Sequence, residues 1–225
     1  MPFDVNIWLN ELKVNLKDSF GERLLFLGLQ GSHRRGEATD TSDIDVVIVL
    51  DKLSVEDLQL YREMIHMMPD YEKACGFICG KSELKAWPKY DLFTLYFDTM
   101  PIHGNLDSLI TKPLRQDAAE AVSIGAANLY HAACHSYLYD SDKAQSLSDL
   151  YKGTLFLLLG RHYQNTGEYL PSSLELRPTL NGEDLEIFTS CQQRRAFLAA
   201  GSAELEEGYR MLIRWCSRLL REPIK

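Results

Sequence analysis

Net positive charge is missing from this 225-residue chain, in which 24 Lys and Arg stand against 32 Asp and Glu for a formal charge of −8. Neutralising phosphates requires positive surface, so a protein that coats an extended nucleic acid is excluded. Also missing is any apolar run approaching the roughly 20 residues that span a bilayer, so no membrane partner is expected. The opening MPFDVNIWLNELKVNLKDSF interleaves charges with apolar residues at helical spacing, and reads as neither signal peptide nor anchor. Cysteine is sparse and odd in number: Cys75, Cys79, Cys134, Cys191 and Cys216 lack the close pairs of a zinc ribbon and the density of a secreted disulfide scaffold. A reducing cytoplasm is the expected compartment. The sequence holds no internal repeat and no low-complexity tract. What remains, 45% hydrophobic, 10% aromatic and 25% charged, is the composition of a globular protein with a real core.

The acidic surplus is uneven. Residues 1–110 hold 11 basic and 18 acidic side chains, a net of −7, and residues 111–225 hold 13 and 14, a net of −1. Texture divides the chain at the same place. An amphipathic helix from Asp4 to Phe20 is broken by Gly21, and Leu24–Leu29 then reads as a buried strand. After a polar, glycine-containing segment, Asp43–Leu50 is the clearest strand in the sequence because of its β-branched run. Ser54 with Asp57 three residues on is a helix N-cap with its capping partner, and Pro69 stops that helix near Met68. A third strand is expected at Ala74–Cys79. Leu92–Phe97 suits a buried strand or a buried helix, and is read as a strand. From Lys112-Pro113 onward, helices are expected at Arg115–Tyr139, Leu147–Thr166, Asp184–Ala200 and Ala203–Arg221. The fold class is therefore α+β: a small domain of strands and helices over residues 1–112 followed by a helical bundle over 113–225.

Chemistry concentrates in Gly31-Ser32-His33-Arg34-Arg35-Gly36-Glu37-Ala38-Thr39-Asp40-Thr41-Ser42-Asp43-Ile44-Asp45. A strand ending at Gly31-Ser32 lets the backbone approach a ligand and sets a hydroxyl beside N–H groups, which suits phosphate oxygens. Asp43 and Asp45, two apart on a strand, present their carboxylates on one face. Such neighbours repel each other unless a cation compensates them, and oxygen-only ligands favour Mg²⁺ or Mn²⁺. A phosphate cradle beside a divalent-metal pair is the minimum equipment for phosphoryl or nucleotidyl transfer.

The stretch resembles the signature of the DNA polymerase β-like nucleotidyltransferase superfamily: Gly-Ser, two residues, Arg-Gly, five residues, Ser-Asp-x-Asp and an apolar strand. Gly31, Ser32, Arg35, Gly36, Ser42, Asp43 and Asp45 match every fixed position. At roughly 6% usage per residue type, seven coincidences in such a chain have a chance probability on the order of one in a million. The resemblance covers residues 24–50 firmly and the N-terminal domain more loosely. It implies a mixed sheet flanked by helices in the N-terminal domain, and a nucleoside triphosphate substrate held by Gly31, Ser32, Arg35 and Ser42, with Arg35 either steadying the triphosphate or pairing with a neighbouring Asp. It also implies metal binding by Asp43 and Asp45 and a third carboxylate from a later strand. Ala74–Cys79 carries no acid. In the aminoglycoside-modifying branch the third acid follows a Trp-containing segment, which the run from Trp87 to Asp98 resembles. Asp98 is therefore expected as the third metal ligand or as the base for the attacking hydroxyl, with Asp91, Glu72 and Glu83 as alternatives.

The helical half resembles, at the level of pattern, the substrate-binding bundle of kanamycin-type nucleotidyltransferases, related to HEPN domains. Arg161 and His162 are adjacent, not spaced as in HEPN ribonucleases, so a nuclease role is not expected. His131 and His135, four apart on a helix, are read as polar packing. Arg210, Arg214, Arg218 and Arg221 form a basic stripe that is either solvated or set against acidic neighbours. The function expected is Mg²⁺-dependent transfer of a nucleoside monophosphate, AMP from ATP, to a hydroxyl of a small acceptor of the aminoglycoside kind, releasing pyrophosphate. A protein acceptor, as in nucleotidylating antitoxins, and a nucleotide-binding module without catalysis are the alternatives.

Overall fold

The computed structural model describes residues 3–222, and the chain divides into two compact units at Lys112–Pro113. In the first, α1 (Val5–Phe20) starts where the Asp4 carboxylate accepts the Asn6 N–H at 2.8 Å, and its i, i+4 stripe of Trp8, Leu12, Leu16 and Phe20 is buried. The chain then runs through β1 (Leu24–Gln30), a single helical turn and a half α2 (Gly31–Arg35), β2 (Ile44–Leu50), α3 (Val55–His66), β3 (Ala74–Gly80), α4 (Lys81–Ala86), α5 (Lys89–Phe97) and β4 (Met100–His103). The strands form one mixed sheet in the order β3-β2-β1-β4, with β2 parallel to β3 and β1 antiparallel to both β2 and β4. Alternation along the strands divides the core in two. Leu27, Leu29, Ile44, Val46 and Ile48 meet α1 and the Met64 and Ile65 of α3 on one face. Phe26, Val47 and Val49 meet Leu84 of α4 and Leu92 of α5 on the other.

Leu92–Phe97, expected as a strand, is the body of α5. Five apolar residues in six carry no period that separates strand from helix. Pro88 decides it: with no N–H to donate and a φ of −55°, it sits at the helix N-cap, where its missing donor costs nothing. Helical spacing then sets Phe93 on Phe97, with ring centroids 5.2 Å apart. In consequence Asp98 follows the last turn of a helix rather than the end of a strand. The short β4 escapes sequence reading because Pro101 makes it a poor strand, tolerated at the sheet edge, and α4 escapes by its brevity.

In the second unit α6 (Arg115–Tyr139), α7 (Lys143–Thr166), α8 (Ser173–Leu176), α9 (Gly182–Gln192) and α10 (Ser202–Arg221) surround a core that includes Ala126, Leu147, Tyr151, Leu158, Ile187, Tyr209 and Trp215. The helix expected to reach Ala200 stops at Gln192, because Gln192, Gln193, Arg194 and Arg195 supply no apolar stripe. The chain continues as a 3-10 segment, Arg194–Ala199, whose Phe197 ring lies 5.1 Å from that of Tyr151. The basic stripe of α10 meets acids: Arg214 and Arg218 bind Glu183 at 2.9 and 2.6 Å, and Asp184 accepts from Arg218 and from the Trp215 indole, the latter at 2.7 Å.

The cap of α3 supplies a pH-dependent contribution. The Ser54 hydroxyl accepts the Asp57 N–H and the Asp57 carboxylate accepts the Ser54 N–H at 2.9 Å, while the Arg23 guanidinium grips Asp57 at 2.8 and 2.9 Å. The hydrogen bond from Arg23 holds the Asp57 carboxyl at about 2, below the ordinary 3.8. Asp57→Asn is expected to destabilise the fold by about 1 kcal/mol at neutral pH. Because the folded state depresses this group, the difference is full above about pH 4 and disappears as pH falls towards 2. Denaturant midpoints of both proteins across that range measure it.

Candidate active site

The site is built by the turn that joins β1 to β2. Gly31 leaves β1 with φ of +71°, a left-handed start that a side chain resists, and its missing Cβ is used twice over. A Cβ there would lie 2.0 Å from Asp45 Oδ2, so the Asp45 carboxylate rests directly against the Gly31 backbone. Helix α2 ends four residues later in a Schellman closure: the Gly36 N–H, at φ of +70°, donates to His33 O at 3.3 Å and the Glu37 N–H to Ser32 O at 2.8 Å. The loop to β2 is held by Ser42, whose hydroxyl accepts the Thr39 N–H at 2.9 Å while its own N–H donates to Thr39 O at 2.9 Å. Lys73 ties the loop from outside, donating to Asp40 O at 3.0 Å.

Ser42 thereby delivers Asp43, exposed, to the position just before β2, with Asp45 two residues on and half-buried. Antiparallel register pairs Asp45 with Gln30. Alternation places Asp45 on the same sheet face as Val47 and Val49, the face that α5 covers. Gln30 reaches across that face to the end of α5, donating to Thr99 Oγ1 at 2.7 Å and Leu95 O at 3.3 Å. Thr99 sits where Gly28 has no side chain, its Cγ2 within 2.3 Å of the place a Cβ would take.

Asp98 is 2% exposed and is part of this joint. Its Oδ2 accepts the Gly31 N–H at 3.2 Å and Arg35 Nη1 at 2.5 Å, and Arg34 Nη1 stands 3.8 Å from Oδ1. Arg35 also binds Glu37 at 3.1 Å, and Arg34 donates to Phe97 O at 3.2 Å. Burial, which alone would lower the Arg35 guanidinium, is outweighed by Asp98 and Glu37, so Arg35 stays charged. Burial pushes the Asp98 carboxyl up and Arg35 pulls it back. Of the two readings of Arg35, the structure places it in an ion pair with a neighbouring Asp.

The structure thus gathers Gly31, Ser32, Ser42, Asp43 and Asp45 at one end of the sheet, with Asp98 and Arg35 beneath the turn. Among the described residues no three His, Cys, Asp or Glu side chains stand close enough to share one metal ion. Asp43 and Asp45 offer carboxylate oxygens at the strand entrance. Glu72 and Glu83 are exposed at the two ends of β3, and Asp91 is exposed in the first turn of α5. In register with Asp45 on β3 stands an exposed thiol, Cys75, where a carboxylate would complete an acidic set. Sequence reasoning did not find Gln30, Arg34 or Cys75. The contacts of the first two lie more than sixty residues away along the chain, and Cys75 is placed only by strand register.

Residues 9–101, which carry the glycine-serine turn and the paired carboxylates, match the family model described as "Nucleotidyltransferase domain". The matched residues lie within the first unit. Over 96% of its length, helical half included, the chain is similar in fold to the spectinomycin adenyltransferase AAD(9) from Enterococcus faecialis, solved with ATP and spectinomycin. The TM-score is 0.58 at 16% identity, and 99% of that chain is covered. No curated protein matches the chain.

Gly31→Ala tests the turn. It meets both an unfavourable φ and the Asp45 carboxylate, and is expected to destabilise the first unit by about 1–2 kcal/mol. A substituted protein as stable to denaturant as the parent would show that the turn carries no such strain.

Proposed function

We propose that this enzyme transfers AMP from ATP to a hydroxyl group of a small, positively charged acceptor and releases pyrophosphate. One observation carries the reading: the Asp45 carboxylate rests on the Gly31 backbone, so that phosphate cradle and metal-binding strand end are a single rigid unit. The fold similarity to an adenyltransferase solved with ATP and spectinomycin supports adenylyl transfer to a small molecule.

The donor set fits a hard cation. Asp43 and Asp45 supply oxygen only, and one of them is exposed. They would hold Mg²⁺ or Mn²⁺, which when bound compensates the charge of a triphosphate. The Gly31–Ser32 turn offers Ser32 N–H and hydroxyl groups to the β and γ phosphate oxygens, and Ser42 fixes the loop that aims Asp43. In the transfer the acceptor oxygen bonds to the α-phosphorus, the α–β anhydride bond breaks, and pyrophosphate departs as the hydroxyl proton passes to solvent water. The chain's part is chiefly positioning, and it requires both carboxylates to stay ionised. The similarity across the helical half favours a small-molecule acceptor over a protein acceptor.

Asp45→Asn is expected to lower Mg²⁺-dependent pyrophosphate release at least on the order of 100-fold, as is Asp43→Asn. Full activity in either variant would sink the assignment of both. Wild-type protein that binds ATP yet releases no pyrophosphate with any aminoglycoside, spectinomycin or lincosamide acceptor would point instead to a nucleotide-binding module. The surplus of acidic side chains in residues 1–110 gives a second test, because an acidic surface raises the local concentration of a cation. The apparent KM for a cationic acceptor is expected to rise several-fold as screening shortens from about 30 Å at 0.01 M salt to about 8 Å at 0.15 M, while that for a neutral acceptor stays flat.

A further inference from the structure

The Asp98 carboxylate has surroundings unsuited to the metal-binding role that the sequence suggests for it. Two guanidinium groups face it, that of Arg35 at 2.5 Å and that of Arg34 at 3.8 Å, and its Oδ2 accepts the Gly31 N–H at 3.2 Å. A divalent cation on the same carboxylate would stand against both positive charges in a buried setting, where like charges repel most strongly. Nor is the carboxylate open to a reacting hydroxyl, since its side chain is only 3% exposed.

The same geometry suits a different task. Gly31 is held from two sides: Asp98 takes its N–H, and Asp45 occupies the place of its absent Cβ. Asp98 itself cannot shift alone. The carbonyls at the end of α5 are taken by donors from the turn, Leu95 O by Gln30 and Phe97 O by Arg34, as suits a helix C-terminus. We propose that Asp98 is a positioning residue, which through Arg35 and the Gly31 N–H fixes the Gly31–Ser32 turn and with it the seat of the Asp45 carboxylate. This rests on the reading of that turn as the phosphate cradle.

The test compares the full-length protein with Asp98→Asn and Asp98→Glu. Amide hydrogen exchange, read without nucleotide, is expected to quicken about tenfold or more over residues 31–36 in Asp98→Asn and to stay unchanged over residues 46–49. ATP affinity is expected to fall by about the same factor with Mg²⁺ and with chelator, leaving the Mg²⁺ concentration for half-maximal activity and the shape of the pH profile unaltered. Asp98→Glu should restore part of the metal-free affinity. A raised Mg²⁺ requirement with unchanged metal-free affinity would overturn the proposal in favour of a metal ligand. Loss of the acidic limb of the pH profile would overturn it in favour of a general base. Should Asp98→Asn not fold by circular dichroism, Arg35→Lys reads the link from the other side, and unchanged exchange over residues 31–36 there overturns the proposal. If the wild-type chain binds no ATP, the functional reading fails, while amide exchange still decides whether Asp98 holds the turn.

Discussion

The antiparallel register of β1 on β2 governs the rest of the first unit. With Gln30 opposite Asp45, the last side chain of one strand and the second carboxylate of the motif share a face, and the turn between the strands begins beside that carboxylate. A slip of one residue would send Asp45 to the face packed by Trp8, Leu12 and Leu16 and bring apolar side chains to the site. Register is therefore enforced by both halves of the core at once. The apolar alternation of Leu27, Leu29, Val46 and Ile48 on one side and of Phe26, Val47 and Val49 on the other admits a single pairing.

Helix α5 follows from that register. Its last turn lies on the sheet at Gly28 because that residue has no side chain, and Thr99, Leu95 O and Phe97 O are then taken by Gln30 and Arg34. Charges accumulate where a nearly buried carboxylate and two arginines meet, and they are tolerable there because each hydrogen bond is charge-assisted. Removing one partner of such a set leaves the others buried and unmatched, a larger loss than the bond itself.

Much of this was legible in the sequence, and the exceptions share a cause. Gly31, Ser42, Asp43 and Asp45 announce themselves because the motif that joins them is a matter of spacing along ten or fifteen residues, and spacing is what a sequence displays. The α+β class follows in the same way from apolar periods of two and of 3.6, while the mixed sheet was implied by the resemblance alone. The surroundings of Asp98 were not visible, for two reasons. Leu92–Phe97 has no readable period, so that helix was taken for strand. The partners of Asp98, at Gly31, Arg34 and Arg35, lie more than sixty residues earlier. Gln30 and Arg34 were hidden likewise by contacts that only the folded sheet creates. In the helical unit the acidic neighbours of Arg214 and Arg218 were foreseen as one of two outcomes, and Glu183 and Asp184 supply them.

The thiol of Cys75 has a practical consequence. Burial raises Cys79 and Cys216 to about 12, and Cys191 is also buried, so these three stay protonated or shielded at neutral pH. Cys75 is exposed where Cys134 is half-buried, and its strand register places it beside Asp45. A maleimide dye or a spin label attached there would sit at the Asp45 end of the sheet, away from the core, with no engineered cysteine.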